Sequence, residues 1–420
     1  MTATLDELDE IDAYIAAQEE QFASREPDLP FTAAEYADRL ARLRKKMADE
    51  QVDTVLLTAP DTMCWLHGYT SRWYRSHSST RLPPVHGTIV HVDHDRILLI
   101  ETAGHKELAR LTSCVHEFVA IADDAGEPTV ADFVTVLIRA LRARGWLGGR
   151  IGLERWSSVP NPAVAESIES ALRDHGVTII DVSVPIRSIR RLKSPQELAV
   201  IECAAAACDA GFLYLREHMR PGKTELQAWN LYMTGVIEAG GEPAAIHETV
   251  AAGLTMPMLH ALSGRRPIGR GELFHPDAAC AVERYHARLT RPFLIGEPPS
   301  ALTRLAEILD GSYAVLASTA QVGVPFREVQ RALGAYFTET GVPGWAGGYE
   351  LGVSLMPDWV GEFCWSTAED ETEAVIEAGL VTNYETGTLP AMVDTVVFEE
   401  SGPRFLSALP RTVMVVADEN

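Results

Sequence analysis

The chain has 420 residues, 46% of them hydrophobic, and a formal net charge of −23 at pH 7. Because this length exceeds what one hydrophobic core usually serves, two domains are expected. The negative charge argues against partners such as nucleic acid or anionic membrane surfaces, since both select for a basic protein surface.

The start of the chain predicts an acidic helix and no export signal. Residues 1–30 are interpreted as an acidic helical extension that ends near Glu26-Pro27. The acidic terminus lacks the basic start of a signal peptide, and no uncharged apolar run reaches the roughly 18 residues of a membrane span. The six cysteines form no C-x-x-C pair and are expected to be reduced thiols. Together these features predict a cytoplasmic protein.

Residues 31–187 alternate between helical and strand patterns, which is typical of an α/β domain. Leu40, Leu43 and Met47 recur at helical spacing before an apolar strand over residues 54–57. Residues 87–102 predict two further strands joined by an Asp-His-Asp turn.

The pattern changes after residue 187, and residues 188–420 predict an α+β domain with an antiparallel sheet. Ser194 is a predicted N-cap, with Pro195 in the first turn and Glu197 completing a capping box. Further helices are predicted from Thr224 and near Pro299, with hairpin-like segments between and after them.

Three motifs in this order resemble those of a known family. They are R-x-x-K-S-P-x-E-L at residues 190–198, RPGKTE at 220–225 and LTRPF at 289–293. The set resembles the creatinase and aminopeptidase P family over roughly residues 31–415. The resemblance implies an α/β N-terminal domain, an α+β pita-bread C-terminal domain, a homodimer and hydrolysis of a C–N bond.

Within that family, three segments make the chain similar to the metal-free ectoine hydrolase-like and creatinase-like members. They are residues 63–69 (MCWLHGY), 283–286 (ERYH) and 348–359 (GYELGVSLMPDW). The third segment has Tyr349 where the family's metalloenzymes carry a metal-binding histidine.

The resemblance assigns five positions that hold metals in the family. They are Asp277, Arg288, Tyr349, Glu385 and Val393. Only Asp277 and Glu385 keep a ligand type there. A guanidinium has no lone pair for a metal and stays protonated, so Arg288 opposes metal binding and no metal cofactor is expected. A slip of one residue would bring Asp394 into the last position, but strand alternation would turn it to the other face.

The resemblance also assigns the active-site histidine to His260. An imidazole can take a proton from water and return it to a leaving nitrogen, although an ordinary histidine is the alternative interpretation. Asp277 and Glu385 are then expected to hold a cationic amidinium or guanidinium group of the substrate. The alternative is that Glu385 forms a structural ion pair with Arg288.

The remaining candidates are predicted to bind the substrate. Arg288 would contact a substrate carboxylate or a developing oxyanion, and Tyr349 would donate a hydrogen bond or simply pack. His286 is expected to shape the pocket, and Trp359 to form a lid or wall. Arg75 and Arg81 lie in a loop that, in creatinase-like dimers, reaches the partner subunit's active site; a solvated basic loop is the alternative.

These residues favour a metal-independent hydrolase acting on a C–N bond in a small amidine, guanidine or lactam-like metabolite. Two alternatives remain: a catalytically silent pita-bread protein that binds a ligand, and a peptidase or lyase with a metal site rebuilt from His260, Asp277 and Glu385.

Overall fold

The computed structural model describes residues 5–71, 74, 80, 85–121, 128–246, 249–258, 262–387 and 390–418. The chain divides into two compact units, residues 1–183 and 184–420. The predicted α/β and α+β architectures are both confirmed. All six cysteines are free.

The described part of the N-terminal unit contains a six-stranded mixed sheet in the order β4-β3-β2-β1-β5-β6. The strands are β1 (Thr54–Leu57), β2 (Gly87–His91), β3 (Leu98–Glu101), β4 (Glu117–Ala120), β5 (Arg150–Leu153) and β6 (Thr178–Asp181). The helices are α1 (Leu5–Ala23), α2 (Ala33–Asp49), α3 (Pro60–His67), α4 (Lys106–Thr112), α5 (Val130–Ala143) and α6 (Pro162–Asp174). Apolar side chains of α5 and α6 pack with those of β1, β3 and β5 in one core.

The described part of the C-terminal unit contains an 11-stranded sheet with the main order β13-β12-β14-β15-β10-β9-β11-β17. Its strands are β7 (Glu242–Pro243), β8 (Val250–Ala252), β9 (Leu273–Val282), β10 (Tyr285–Thr290), β11 (Phe293–Ile295), β12 (Ala346–Tyr349), β13 (Cys364–Ser366), β14 (Val381–Gly387), β15 (Ala391–Glu399), β16 (Gly402–Phe405) and β17 (Met414–Val416). Strands β7 and β8 pair with β9, and β16 pairs with β15.

Helices cover one face of this sheet. They are α8 (Pro195–His218), α9 (Glu225–Glu238), α10 (Ser300–Thr319) and α11 (Phe326–Thr340), and the short α7 (Ser183–Ile189) precedes them. Side chains of α8 and α9 pack with Ala278, Cys280, Ala287 and Leu289 of β9 and β10. Side chains of α10 and α11 pack on alternate residues of β14 and β15. The intervening residues of the four strands therefore point to the opposite face.

Local sequence signals explain where the elements begin. Helix α8 starts with the predicted capping box, because Ser194 Oγ accepts from the Glu197 backbone N–H and the Glu197 side chain accepts from that of Ser194. The β9–β10 hairpin turns at Glu283 and Arg284, whose φ angles of 48° and 67° are typical of a tight type I′ turn.

Helix α8 alone among the described helices has the length and apolar composition of a membrane span. Its apolar side chains pack in the core with β9 and β10, which is also how a core helix behaves.

Candidate active site

Neighbouring strands bring one row of side chains together on the face of the C-terminal sheet opposite helices α8–α11. In the strand register Asp277 is opposite Thr290, Thr290 is opposite Val393, and Val393 is opposite Glu385. Gly347 follows beyond Glu385. Residues directly opposite each other share a face. The row therefore brings together Asp277, Val393 and Glu385, three of the five positions that the resemblance assigned.

A second row lies two residues further along each strand. Arg288 is opposite Ala279, and Asn383 is opposite Thr395. Side chains two residues apart on a strand share a face, so Arg288 lies on the same face as Asp277 and Glu385. The Tyr349 backbone N–H joins this row by donating to Asn383 Oδ1 over 2.7 Å.

Arg288 stands between the two carboxylates. Its Nη2 donates to Asp277 Oδ1 and lies 3.7 Å from Glu385 Oε1. The Arg288 side chain is 6% exposed, whereas those of Asp277 and Glu385 are 28% and 20% exposed. Thr290 Oγ1 also donates to Asp277 Oδ1, over 3.2 Å. The arrangement is a half-buried ion-pair network with both carboxylates partly open.

The pKa values of Asp277 and Arg288 favour their charged forms. Burial alone would raise the pKa of Asp277, but the attraction of Arg288 and His275 lowers it below its ordinary value. Burial alone would lower the pKa of Arg288, but Asp277 and Glu385 raise it. Arg288 and Asp277 thus persist as a cation and an anion at neutral pH.

The residues present do not fit a two-metal centre. Such a centre needs bridging carboxylates with further terminal ligands, and here a guanidinium occupies the space between the two carboxylates. In the part of the chain that the structure describes, no three His, Cys, Asp or Glu side chains are grouped so as to hold a metal ion.

Asp394 does not replace the missing carboxylate. It lies on the helix-covered face of β15, where its Oδ2 is 2.9 Å from Arg291 Nη1 and 3.6 Å from Arg411 Nε. The side chains of Asp394 and Arg291 are both 0% exposed. The register between Val393 and Glu385 agrees with the alternation argument, so the site position belongs to Val393.

Tyr349 lies beside Arg288, and Trp359 is hydrogen-bonded to Tyr349. The guanidinium carbon of Arg288 is 5.4 Å from the Tyr349 ring centroid, within the range of a cation–π contact. Trp359 Nε1 donates to Tyr349 Oη over 3.1 Å. The structure therefore brings both predicted substrate-binding aromatics to the same cluster, and their role remains a prediction.

His286 uses both ring nitrogens within the protein. Its Nδ1 donates to the Arg284 carbonyl and its Nε2 accepts from the Ala245 backbone N–H, both over 3.0 Å. The residue is 2% exposed, and burial lowers its pKa to about 4. A neutral ring with both nitrogens occupied is suited to support the site rather than to transfer protons. Its expected role in shaping the pocket stays a prediction.

Two residues that sequence reasoning missed hold the site together. Asn383 Nδ2 donates to Glu385 Oε2 over 3.0 Å, while its Oδ1 accepts from Tyr349. Thr395 Oγ1 accepts from the Arg288 backbone N–H over 2.8 Å and donates to the Arg288 carbonyl over 3.0 Å. Strand alternation is the sequence signal that could have found them. Asn383 lies two residues from Glu385, and Thr395 lies two residues from Val393, so each pair shares a face of the sheet.

His275 also belongs to this face, two residues before Asp277 on β9. Burial lowers its pKa, and the attraction of Asp277 opposes that shift. Among the described residues its buried Nε2 has no hydrogen-bond partner. Its position beside a proline in the sequence had given no sign of this placement.

Three predicted site residues lie outside the described residues. They are His260, Arg75 and Arg81. Their assigned roles remain predictions.

Two family models match consecutive parts of the chain. The Creatinase/Prolidase N-terminal domain matches residues 39–192, and Metallopeptidase family M24 matches residues 199–404. Among curated proteins, the ectoine hydrolase of Halomonas elongata is 26% identical over 412 residues, covering 92% of this chain and 98% of that protein. The Xaa-Pro dipeptidase of Pyrococcus horikoshii is 22% identical over 273 residues, covering 63% and 74%.

Solved structures show the same fold. The X-Pro aminopeptidase of Thermotoga maritima superposes with a TM-score of 0.74 at 20% identity, covering 90% of this chain and 99% of that one. The Xaa-Pro dipeptidase of Bacillus anthracis gives a TM-score of 0.73 at 17% identity, covering 91% and 100%. At these identities the likeness concerns the fold alone.

Proposed function

This chain belongs to the creatinase/aminopeptidase P family, with the two-domain pita-bread fold of M24 hydrolases, and we propose that it is a metal-independent hydrolase. It cleaves a non-peptide C–N bond in a small amidine, guanidine or lactam-like metabolite. The observation that carries this proposal is the position of Arg288, whose guanidinium lies between Asp277 and Glu385.

The charge of the site supports a cationic substrate group. Asp277 and Glu385 contribute −2 and Arg288 contributes +1, which leaves a formal charge of −1 among these three side chains. An amidinium or guanidinium would neutralise it and could share the partly exposed carboxylates through charge-assisted hydrogen bonds. The 26% identity to an ectoine hydrolase over nearly the whole chain supports the same reaction class.

The proposed reaction needs one proton carrier, and His260 is assigned that role. Its imidazole takes a proton from water as the water oxygen bonds to the electrophilic carbon. The C–N bond then breaks, and the same proton passes from the imidazolium to the leaving nitrogen. Asp277 and Glu385 hold the amidinium or guanidinium group in place for the attack of water, and positioning of this kind supplies much of the rate.

The proposal is tested by offering the purified protein ectoine and creatine after treatment with a chelator, with mass spectrometry of the products. We expect hydrolysis of one compound of this class at an unchanged rate after metal removal, and its loss in Glu385→Gln. Consumption that stops with the chelator and returns with a divalent metal would contradict metal independence.

A catalytically silent binding protein is a second candidate, which the Arg288–Asp277 ion pair favours because it already engages one carboxylate. A thermal-shift screen separates the two functions. A ligand that stabilises the parent chain and His260→Ala equally, and is never consumed, would support the binder.

The third alternative, a peptidase or lyase with a rebuilt metal site, is favoured by the match to Metallopeptidase family M24 and by the similarity to the Xaa-Pro dipeptidase of Pyrococcus horikoshii. Elemental analysis of the purified protein tests it. One firmly bound iron, zinc or manganese per chain would overturn the metal-free proposal.

A further inference from the structure

One hydrogen bond at the site has a direction that is fixed by its donor. The Trp359 indole N–H donates to Tyr349 Oη over 3.1 Å. Indole nitrogen carries a hydrogen and has no acceptor lone pair, so the phenol oxygen can only accept in this contact. The hydroxyl proton of Tyr349 is therefore left for another partner.

That proton has no acceptor among the described residues. The contact with Trp359 is the one hydrogen bond of the Tyr349 hydroxyl in the described part of the chain. The ring itself stands against Arg288, which in turn contacts Asp277 and Glu385. The Tyr349 ring thus adjoins the cluster that Arg288 forms with the two carboxylates, and its hydroxyl is a neutral donor next to that cluster.

Arg288 contributes a second donor, and this one is unsatisfied. Arg288 Nε–H is buried and, within the described ranges, makes no hydrogen bond, although the side chain is only 6% exposed. Buried donors without acceptors are rare in folded proteins, and each calls for an explanation such as a ligand or a water molecule. The Arg288 Nε–H and the Tyr349 hydroxyl belong to side chains that contact each other, which indicates a place for an acceptor atom beside them.

Trp359 is held where it can direct the phenol. Its side chain packs against Ala244, Ile246 and Ala279. The turn that precedes it is closed by Ser354 Oγ, which donates to the Asp358 carbonyl over 2.6 Å. The indole N–H is therefore presented to Tyr349 from a packed support.

We propose that Tyr349 donates its hydroxyl hydrogen bond to an acceptor oxygen of the substrate, and that Trp359 is the positioning residue that fixes this direction. The acceptor is either a carboxylate oxygen of the substrate or the oxygen that forms at the attacked carbon. The substrate half of this inference rests on the proposed hydrolase function. The orientation of the Tyr349 hydroxyl by Trp359 is independent of that function.

A double-mutant cycle tests the link between the two residues. Turnover of ectoine is compared for the parent chain, Tyr349→Phe, Trp359→Phe and the double variant. Loss of one such donor typically lowers kcat about 10²-fold, so Tyr349→Phe should fall by about that factor and Trp359→Phe by less. If Trp359 acts through Tyr349, the double variant is no slower than Tyr349→Phe. Trp156→Phe, at an exposed tryptophan in the N-terminal unit, is the matched control.

A second substrate identifies the acceptor oxygen. The same cyclic amidine without its carboxylate is assayed alongside ectoine. A Tyr349→Phe defect that is confined to ectoine assigns the donor to the carboxylate, whereas an equal defect with both compounds assigns it to the oxygen at the attacked carbon. Independent, multiplicative losses in the double variant would overturn the positioning role.

A measurement without substrate keeps the two proposals distinguishable. Fluorine NMR of fluorotyrosine-labelled protein gives a resonance for residue 349, assigned by its absence in Tyr349→Phe. The chemical shift of this resonance should change in Trp359→Phe and remain the same in Trp156→Phe. An unmoved resonance would overturn the role of Trp359. Failure to hydrolyse any compound of the class, with the resonance shifted, would instead overturn the proposed hydrolase.

Discussion

Single substitutions decide what the centre of the site can hold. Arg288, Tyr349 and Val393 stand where the resemblance places an aspartate, a histidine and a glutamate. Arg288 and Val393 lie on the site face of the sheet, and Tyr349 is hydrogen-bonded through its backbone N–H to Asn383 on that face. The three substitutions therefore change the same part of the site. The site thus has a cation at Arg288, an aromatic ring at Tyr349 and an aliphatic side chain at Val393. None of these three side chains is a usual metal ligand at its position in the family.

Reversing these substitutions should create affinity for a metal. The variant Arg288→Asp/Tyr349→His/Val393→Glu joins Asp277 and Glu385 in five ligand positions, and we expect stoichiometric Mn²⁺ or Zn²⁺ binding with a Kd of about 1 µM or tighter by calorimetry. The parent chain should show none. The matched control Arg288→Asn/Tyr349→Phe/Val393→Gln has similar shapes without the ligand set. A folded reversed variant that binds no more metal than this control would contradict the prediction.

His286 should make stability depend on pH. The pKa of His286 falls from an ordinary 6.5 to about 4 on folding. Between these two pH values the imidazole binds a proton in the unfolded chain but not in the folded chain. Stability is therefore full above pH 6.5 and is lost as pH falls to about 4, by roughly 3 kcal/mol from this residue.

Urea unfolding at pH 7, 5.5 and 4.5 measures this effect. His286→Gln should be less stable at pH 7 by about 1–3 kcal/mol, because backbone groups lose their partners, yet should lose less on acidification. His175→Gln changes an exposed histidine and serves as the control. An unchanged pH dependence in His286→Gln would contradict this account.

At the scale of elements, the sequence predicted the helix starts and strands that depend on neighbouring residues in the chain. The strand over residues 54–57 and the capping box at Ser194 follow from hydrophobic periodicity and from side-chain capping chemistry, and both are found. The rows across β9, β10, β15 and β14 depend on register between strands distant in sequence. Asn383 was missed because its partner Tyr349 lies on a neighbouring strand, whose register a local pattern does not fix. His275 was missed because nothing in its local sequence sets it apart, and only alternation from Asp277 places it on the site face.

The two faces of β15 should respond differently to substitution. Asp394→Ala leaves the buried Arg291 without its carboxylate partner and should cost about 3–5 kcal/mol of unfolding free energy. Asp394→Ala/Arg291→Met removes both charges and should recover much of that loss. Val393→Thr, at a buried position on the site face of the same strand, is the comparison, with a smaller expected cost of about 1–2 kcal/mol for the buried hydroxyl. Urea unfolding reports all three, and a mild effect of Asp394→Ala alone would contradict the buried pair.

At the scale of the whole molecule, the resemblance predicts a homodimer in which a loop containing Arg75 and Arg81 serves the partner's site. Light scattering should then give twice the chain mass of 45.9 kDa. Once a substrate is known, Glu385→Gln and Arg81→Ala are each expected to be nearly inactive alone. In a mixed dimer, one site combines an intact Glu385 with an intact loop from the other subunit.

Equal mixing makes half of the dimers mixed, each with one intact site of two, so about a quarter of the parent activity should return after unfolding and joint refolding. Mixing Arg81→Ala with Arg75→Ala is the control, because both changes affect the same loop and leave no dimer with an intact loop. No recovery in the Glu385→Gln mixture, with dimers verified by light scattering, would mean that the loop serves its own subunit. Recovery near a quarter would establish that the active site is completed across the dimer.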